Sequence, residues 1–264
     1  MAAVRHPAPL SGGSGGAVNR PRPGWWVAVV WVAVLALLPA ARGALGSEML
    51  PNGLTAGVLA LAATVTWVLA QDWGWRRALA AAGGALALTW LAEWVGSRYG
   101  LPFGSYHYTA QFQPQLLGVP LLIPLAWWMM LPPAWAVAAQ LLGPLAQHRL
   151  AFAALSAVAF TAWDLLLDPQ MVAWGFWSWS APGGYFGVPW SNYLGWLTVA
   201  GLLSYCFGRR RLPTGPLLLV YGLTWSIQTA GQLFFWDQSG SGLVGGLVMG
   251  GLFAAALARR RSFF

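Results

Sequence analysis

The chain has few charged residues, one cysteine and no lysine. Only 8% of its 264 residues are charged, 58% are hydrophobic, and the mean hydropathy is +0.59. Such a chain cannot have water on all sides, so a soluble protein is excluded. With Cys206 as the only cysteine, neither a disulfide framework nor a thiolate metal cluster can form. The absence of Lys excludes a retinal Schiff base, a lysine nucleophile and a Walker-type phosphate lysine.

The net charge of +8 does not indicate a nucleic-acid partner. The Arg residues form short clusters beside apolar runs, which is typical of membrane orientation signals rather than of a nucleic-acid-binding face. Residues 1–23 contain four Pro, four Gly and no apolar run, and they predict a disordered cytoplasmic tail. Residues 24–264 predict a single membrane-embedded helical domain.

The fold class predicted from the apolar runs is an all-α, polytopic membrane protein. A spanning helix needs about 20 mainly apolar residues, and eight runs qualify, with seven or nine spans as alternatives. The eight predicted spans lie near 25–41, 54–71, 78–97, 118–142, 149–166, 193–208, 216–235 and 243–258. Four prolines in the span near 118–142 predict a kink or a break there.

The Arg distribution predicts the orientation of the chain. If eight spans alternate and the tail is cytoplasmic, only Arg42 and Arg98 of the fourteen Arg residues lie outside. Cytoplasmic loops collect Arg, so both termini are predicted to be cytoplasmic in a multi-pass protein of the cell membrane.

The few acidic residues gather on the opposite, outer side. Glu48, Asp168 and Asp237 lie in predicted outer loops, and Glu93 and Asp164 lie in the outer parts of their helices. Two long outer segments, 98–117 and 167–192, are also rich in Tyr, His, Asn and Trp. Non-helical chain at membrane level is tolerated where it packs on protein or lines a cavity. We therefore expect the functional site on the outer side.

Two carboxyl sites are candidates for acid chemistry. Glu93 lies in an apolar helical stretch, where a carboxyl group is costly and usually functional; Arg98 is a candidate partner. Asp164 and Asp168 are four residues apart and share one helix face, and Pro169 is predicted to end that helix. Two carboxylates this close do not both ionise easily, so we expect the pair to hold a proton.

Other functions are compatible with parts of this pattern. The Asp164/Asp168 spacing is similar to the motif with which prenyl synthases hold magnesium and diphosphate. That function needs a second carboxylate motif and more basic partners than Arg42 and Arg98 on the outer face. His107 has too few companions for a haem or zinc site, so no metal is predicted. The many Trp residues form an interfacial belt, and those around the acids also suit a cation or a polyene.

Two ordered blocks of motifs lie between about residues 85 and 200. The first block is Glu93-x-x-Gly96, Gly100-x-Pro102-Phe103-Gly104-x-Tyr106-x-Tyr108 and Gly118-Val119-Pro120. The second block is Asp164-x-x-x-Asp168-Pro169, Trp177-x-Trp179 and Gly184-Tyr185-x-Gly187-Val188-Pro189-x-x-Asn192-Tyr193-x-Gly195-Trp196. These blocks resemble those of a known family, the carotenoid 1,2-hydratases of the CruF type, which are related to the bisanhydrobacterioruberin hydratases.

The resemblance implies addition of water to the terminal C1=C2 double bond of a carotenoid ψ end group, giving a tertiary alcohol with no cofactor. It implies a lycopene- or γ-carotene-type substrate within the bilayer, water as co-substrate, and association with other carotenoid enzymes. The expected catalytic residues are Glu93, Asp164 and Asp168. Residues expected to position water or substrate are Tyr106, His107, Tyr108, Tyr185, Asn192 and Tyr193. A slot for the cation and polyene is expected from Trp90, Phe103, Trp163, Trp177, Trp179 and Trp196.

A different class of function also fits part of the sequence. A membrane carrier of a lipid or small solute would use intramembrane carboxyl groups as a proton relay and proline-broken helices to change conformation. The acids, however, favour one side, whereas a carrier usually places its site near the midplane. The hydratase is therefore the favoured prediction and the carrier the alternative.

Overall fold

The computed structural model describes residues 50–208 and 211–261, together with Val29, Val32 and Ala33. The predicted tail over 1–23 and most of the predicted span at 25–41 lie outside these residues. The described part is built from long helices, which confirms the all-α class. They are α1 (Leu50–Trp73), α2 (Trp75–Tyr99), α3 (Leu122–Leu142), α4 (Arg149–Ala173), α5 (Trp190–Phe207), α6 (Thr214–Phe234) and α7 (Ser239–Arg261).

Each span predicted from residue 54 onward corresponds to one of these helices. Within the described residues, five helical stretches are long and apolar enough to cross a membrane: Leu50–Trp73, Trp75–Tyr99, Leu122–Gln147, Arg149–Ala173 and Ser239–Arg259. The last residues of the third form a short 3-10 helix, Gly143–Gln147. The count of eight spans, the cytoplasmic termini and the single domain over 24–264 stay predictions.

Helix α3 lies at the centre of the bundle and contacts every other long helix of the described part. All its residues from Trp127 to Ala138 are buried. The predicted break does not occur, because the helix continues through Pro132 and Pro133. Packing against neighbouring helices on all sides stabilises α3, and this offsets the loss of the two backbone hydrogen bonds that the prolines cannot make. The helix also starts later than 118, because strands β2 (Gln115–Leu116) and β3 (Val119–Pro120) pair before it.

Helix α4 continues past Pro169, so the prediction that this proline ends the helix is wrong. A proline has no N–H, and at position 169 it leaves the carbonyl of Leu165 without its usual helical donor. The hydroxyl of Tyr185 donates to that carbonyl at 3.1 Å. The helix therefore reaches Ala173, and the non-helical segment after it spans 174–189 rather than 167–192.

A short ladder joins the two outer segments of the sequence. Strand β1 (Tyr106–Tyr108) pairs antiparallel with β4 (Trp177–Trp179), with Tyr106 opposite Trp179 and Tyr108 opposite Trp177. Side chains alternate between the faces of a strand. Tyr106, Trp177 and Trp179 are buried, whereas His107 between the two tyrosines is exposed. The ladder thus presents one aromatic face to the helices.

Candidate active site

A cavity of about 120 Å³ lies among α1 to α6 and the β1–β4 ladder. Its wall is mainly apolar and aromatic, and it includes the carboxyl groups of Glu93 and Asp168. The apolar face of α1, formed by Leu54, Val58 and Leu61, contributes one part of the wall. Carboxyl groups in such surroundings are placed to act on an apolar ligand.

Glu93 is 4% exposed and accepts three hydrogen bonds from neutral side chains. The Tyr106 and Tyr108 hydroxyls donate to Oε2, the second at 2.7 Å, and the Trp127 indole N–H donates to Oε1 at 2.8 Å. Arg98, the partner suggested by the sequence, is exposed, and no ion pair joins it to Glu93 within the described residues. Three donors around one carboxyl group match the acceptor capacity of its ionised form.

The tyrosines of β1 act as fixed donors. Burial, followed by the negative charge of Glu93, raises the pKa of the Tyr106 and Tyr108 hydroxyls well above the usual 10.0. Both hydroxyls therefore keep their protons at neutral pH. Their position follows from the strand, because residues two apart lie on the same face.

Asp164 and Asp168 form the second carboxyl site. They are 0% and 2% exposed, and the Asn192 amide N–H₂ of α5 donates to Oδ2 of both, to Asp164 at 3.1 Å. Asp168 lies at the cavity wall, and Asp164 lies behind it. The predicted common face of the two carboxyl groups is thus present, and two buried carboxylates sharing one amide repel each other unless a proton is shared between them.

Stacked aromatic rings form the wall next to the carboxyl groups. The rings of Trp127 and Trp196 have centroids 4.5 Å apart at 26°, and Phe160 stacks on Trp196 at 5.2 Å. Trp163 packs edge-on against Trp196, with ring centroids 5.9 Å apart. Such π faces attract a nearby cation.

The structure brings most of the sequence-predicted site residues to the cavity. Those at the wall are Glu93, Asp168, Tyr106, Tyr108, Asn192, Phe103, Trp163, Trp177, Trp179 and Trp196. Those away from the wall are Asp164, His107, Tyr185, Tyr193 and Trp90. His107 contacts Ser178 at 3.2 Å on the exposed face of the ladder, Tyr185 bonds the Leu165 carbonyl, and Trp90 stacks on Trp94 at 6.4 Å.

Sequence reasoning missed several wall residues. Trp127 bonds Glu93 directly, and Gln170 and Gln228 are polar groups at the wall. Two signals were present: intramembrane Gln residues are costly, and Gln170 follows Asp168 closely. Nothing in the sequence separates Trp127 from its neighbour Trp128. As for metals, the described residues contain no group of three His, Cys, Asp or Glu placed to hold an ion.

Comparisons with known proteins identify similar sequences. Residues 52–217 match the family model described as carotenoid biosynthesis protein, a stretch that contains every predicted site residue. The chain is 38% identical over 137 residues to the bisanhydrobacterioruberin hydratase of Haloarcula japonica. That match covers 48% of this chain and 46% of the relative, so the chain spans about half of the relative's length. No solved structure matches the chain.

The family match covers more than half of the chain, and the matched residues include both carboxyl sites and the paired segments between the helices. The resemblance predicted from the motifs is confirmed. Apolar helices and the family together indicate a membrane protein. The chain belongs to the family of carotenoid biosynthesis proteins.

Proposed function

We propose that the chain is a carotenoid 1,2-hydratase, a hydro-lyase that adds water across the terminal C1=C2 bond of a ψ end group. The substrate is of the lycopene or γ-carotene type, and the product is a tertiary 1-hydroxy carotenoid. The observation that carries this proposal is the placement of buried carboxyl groups at the wall of an aromatic cavity. The relative from Haloarcula japonica, which is named a hydratase, supports the same class of reaction.

The Asp164/Asp168 pair is the proposed proton donor. Asp168 faces the cavity, Asn192 at the same wall donates to both carboxyl groups, and Asp164 lies behind Asp168. A carboxyl group that stays protonated in apolar surroundings can donate its proton to an alkene at neutral pH, whereas an ionised carboxylate has no proton to give. The proton goes to C2, the π electrons of the double bond form the new C–H bond, and a tertiary cation is left at C1.

Glu93 and the aromatic rings are the proposed stabilisers of that cation. We assign Glu93 the ionised form because three hydrogen-bond donors hold its carboxyl group as an acceptor, and its charge is then in place before the reaction begins. The π faces of Trp196 and Trp163 add attraction of about 0.5–2 kcal/mol each for a nearby cation. The wall thus favours the charge that develops in the transition state over the neutral alkene.

Water completes the reaction without a redox step. Its oxygen adds to C1, and the proton that it then loses returns to the Asp164/Asp168 pair. The pair is restored to its starting state, so one water is consumed per end group and no electron acceptor or cofactor is needed. We place the site toward the outer side of the cell membrane, where the sequence gathers its acids, and we expect the substrate to enter from the bilayer.

The test is a carotenoid-producing bacterial host that makes lycopene or γ-carotene and expresses the full chain. We expect the pigments to gain the mass of one water per ψ end. Asp168→Asn and Glu93→Gln should abolish the gain while the protein still accumulates, and Asp72→Asn, which changes an exposed acid, should not. Unchanged pigment with well-accumulated wild-type protein would rule out the hydratase. The carrier alternative loses one argument, because α3 is not broken at its prolines.

A further inference from the structure

A cluster of three glutamines beside the carboxyl groups has no role in the mechanism above. Gln170 of α4 and Gln228 of α6 lie at the cavity wall, and Gln232 of α6 lies behind them. Gln170 and Gln232 are 3% and 0% exposed. Buried amides are costly unless their hydrogen bonds are made, so the partners of each group show what the cluster leaves available.

The orientation of two of these amides is fixed by groups that have a single hydrogen-bonding role. The Trp163 indole N–H can only donate, and it contacts Gln228 Oε1 at 2.9 Å. The Leu166 carbonyl can only accept, and Gln232 Nε2 donates to it at 2.5 Å. The nitrogen and oxygen positions of Gln228 and Gln232 are therefore determined by their neighbours.

This orientation determines the third amide. Gln228 Nε2 and Gln232 Nε2 both donate to one atom of Gln170, each at 3.2 Å, so that atom must be the oxygen Oε1. The other end of the Gln170 side chain is then the N–H₂ group. No acceptor for it is present among the described residues, and Gln170 lies at the cavity wall. The cavity wall thus carries an N–H donor of fixed orientation, on the same helix as Asp168.

We propose that Gln170 Nε2 binds the oxygen of the attacking water, an assignment that rests on the proposed hydratase function. The N–H occupies one lone pair of the water, and the other lone pair forms the bond to C1. The proton that the water loses after the C–O bond has formed returns to the Asp164/Asp168 pair, whose Asp168 lies at the wall of the same cavity. Gln170 is a positioning residue for this step, and Gln228 and Gln232 hold it in place.

The test separates protonation of the alkene from capture of the cation by water. Membranes that contain the full chain are given lycopene in D₂O, and both the hydroxylated product and the recovered substrate are analysed by mass. A cation that is not captured loses a proton and returns to an alkene, so deuterium in recovered substrate reports protonation alone. Gln170→Glu keeps oxygen acceptors for Gln228 and Gln232 but removes the N–H donor, and Gln170→Leu removes both.

We expect both variants to form about tenfold less hydroxylated product, or lower still, which corresponds to the loss of one hydrogen bond of about 1.4 kcal/mol. Deuterium in the recovered substrate should stay within about twofold of wild type. Wild-type hydration by Gln170→Glu, or parallel loss of product and deuterium in that variant, would overturn the assignment. Gln113→Leu, which removes an exposed amide outside the cavity, is the matched control. If Gln170→Leu fails to accumulate, Gln170→Glu decides. A wild-type chain that neither hydrates nor exchanges deuterium contradicts the hydratase itself.

Discussion

Replacing Gly195 with alanine is expected to displace Phe103, an aromatic residue of the cavity wall. The ring of Phe103 lies between Gly96 of α2 and Gly195 of α5. A Cβ atom added at Gly195 would lie 2.5 Å from the Phe103 ring, and one added at Gly96 would also lie 2.5 Å from it. The ring therefore cannot move away from one helix without striking the other.

The size of the effect follows from these distances. Ordinary van der Waals contact begins near 3.4 Å, so the ring has to move by 3.4 minus 2.5, or about 1 Å. Overpacking of this kind costs about 1–3 kcal/mol. A displacement of about 1 Å at an active site can lower the rate about 100-fold. The ring centroid of Phe103 lies 6.2 Å from those of both Trp127 and Tyr106, and both of these residues donate hydrogen bonds to Glu93.

The matched control is Gly83→Ala on α2, where an added Cβ meets nothing within 4 Å. Both substitutions gain about 1 kcal/mol of helix propensity, so their difference isolates the packing cost. In thermal unfolding in detergent, the free energy of unfolding of Gly195→Ala should be about 1–3 kcal/mol lower than that of Gly83→Ala. The hydration rate should fall only in Gly195→Ala. Adding Phe103→Leu to Gly195→Ala should recover part of the stability. Equal stability and equal activity of the two alanine variants would refute the packing argument.

Three further predictions concern single side chains. Trp127→Phe keeps a ring but removes the 2.8 Å hydrogen bond to Glu93, and the loss of about 1.5–3 kcal/mol of carboxylate stabilisation should slow hydration about 10- to 150-fold; an unchanged rate would mean that Glu93 does not depend on the indole. His107→Ala should leave the hydration rate within about twofold of wild type, because the imidazole is on the exposed face of β1; a large loss of rate would instead indicate that His107 positions the water. Burial raises the pKa of Tyr185 from 10.0 to about 12. A raised pKa in the folded chain stabilises it below about pH 10, and this contribution is lost as the pH rises toward 12. Melting temperatures of the wild type should therefore fall more steeply over that window than those of Tyr185→Phe, and equal slopes would contradict the burial of the hydroxyl.

The helices and the meeting of the carboxyl groups were predictable from the sequence, each for a physical reason. Apolar runs mark helices because unpaired backbone groups are costly in lipid. Acids are so rare here that each one is informative, and the spacing of Asp164 and Asp168 places them on one face of any helix. The aromatic wall was predictable in part, since Trp196 and Trp163 flank these acids in the chain.

The remaining features depend on contacts between distant segments. A strand of three residues leaves no detectable period, so the β1–β4 register and the outward position of His107 were not predictable. Helix α4 passes Pro169 because a hydroxyl from a later segment bonds the Leu165 carbonyl. The roles of Trp127 and Gln170 depend on how α3 and α4 are rotated against their neighbours, which hydropathy alone does not determine.

The origin of the new hydroxyl oxygen distinguishes hydration from oxidative hydroxylation. Membranes containing the full chain are incubated with lycopene in water labelled with both ¹⁸O and deuterium, without added oxidant or reductant, and the products are analysed by mass. We expect one ¹⁸O atom and one deuterium on carbon for each ψ end that reacts, and no labelled product from Asp168→Asn. Oxygen taken from O₂, a requirement for a redox cofactor, or no hydroxylated product from wild-type protein would contradict the proposed hydratase function.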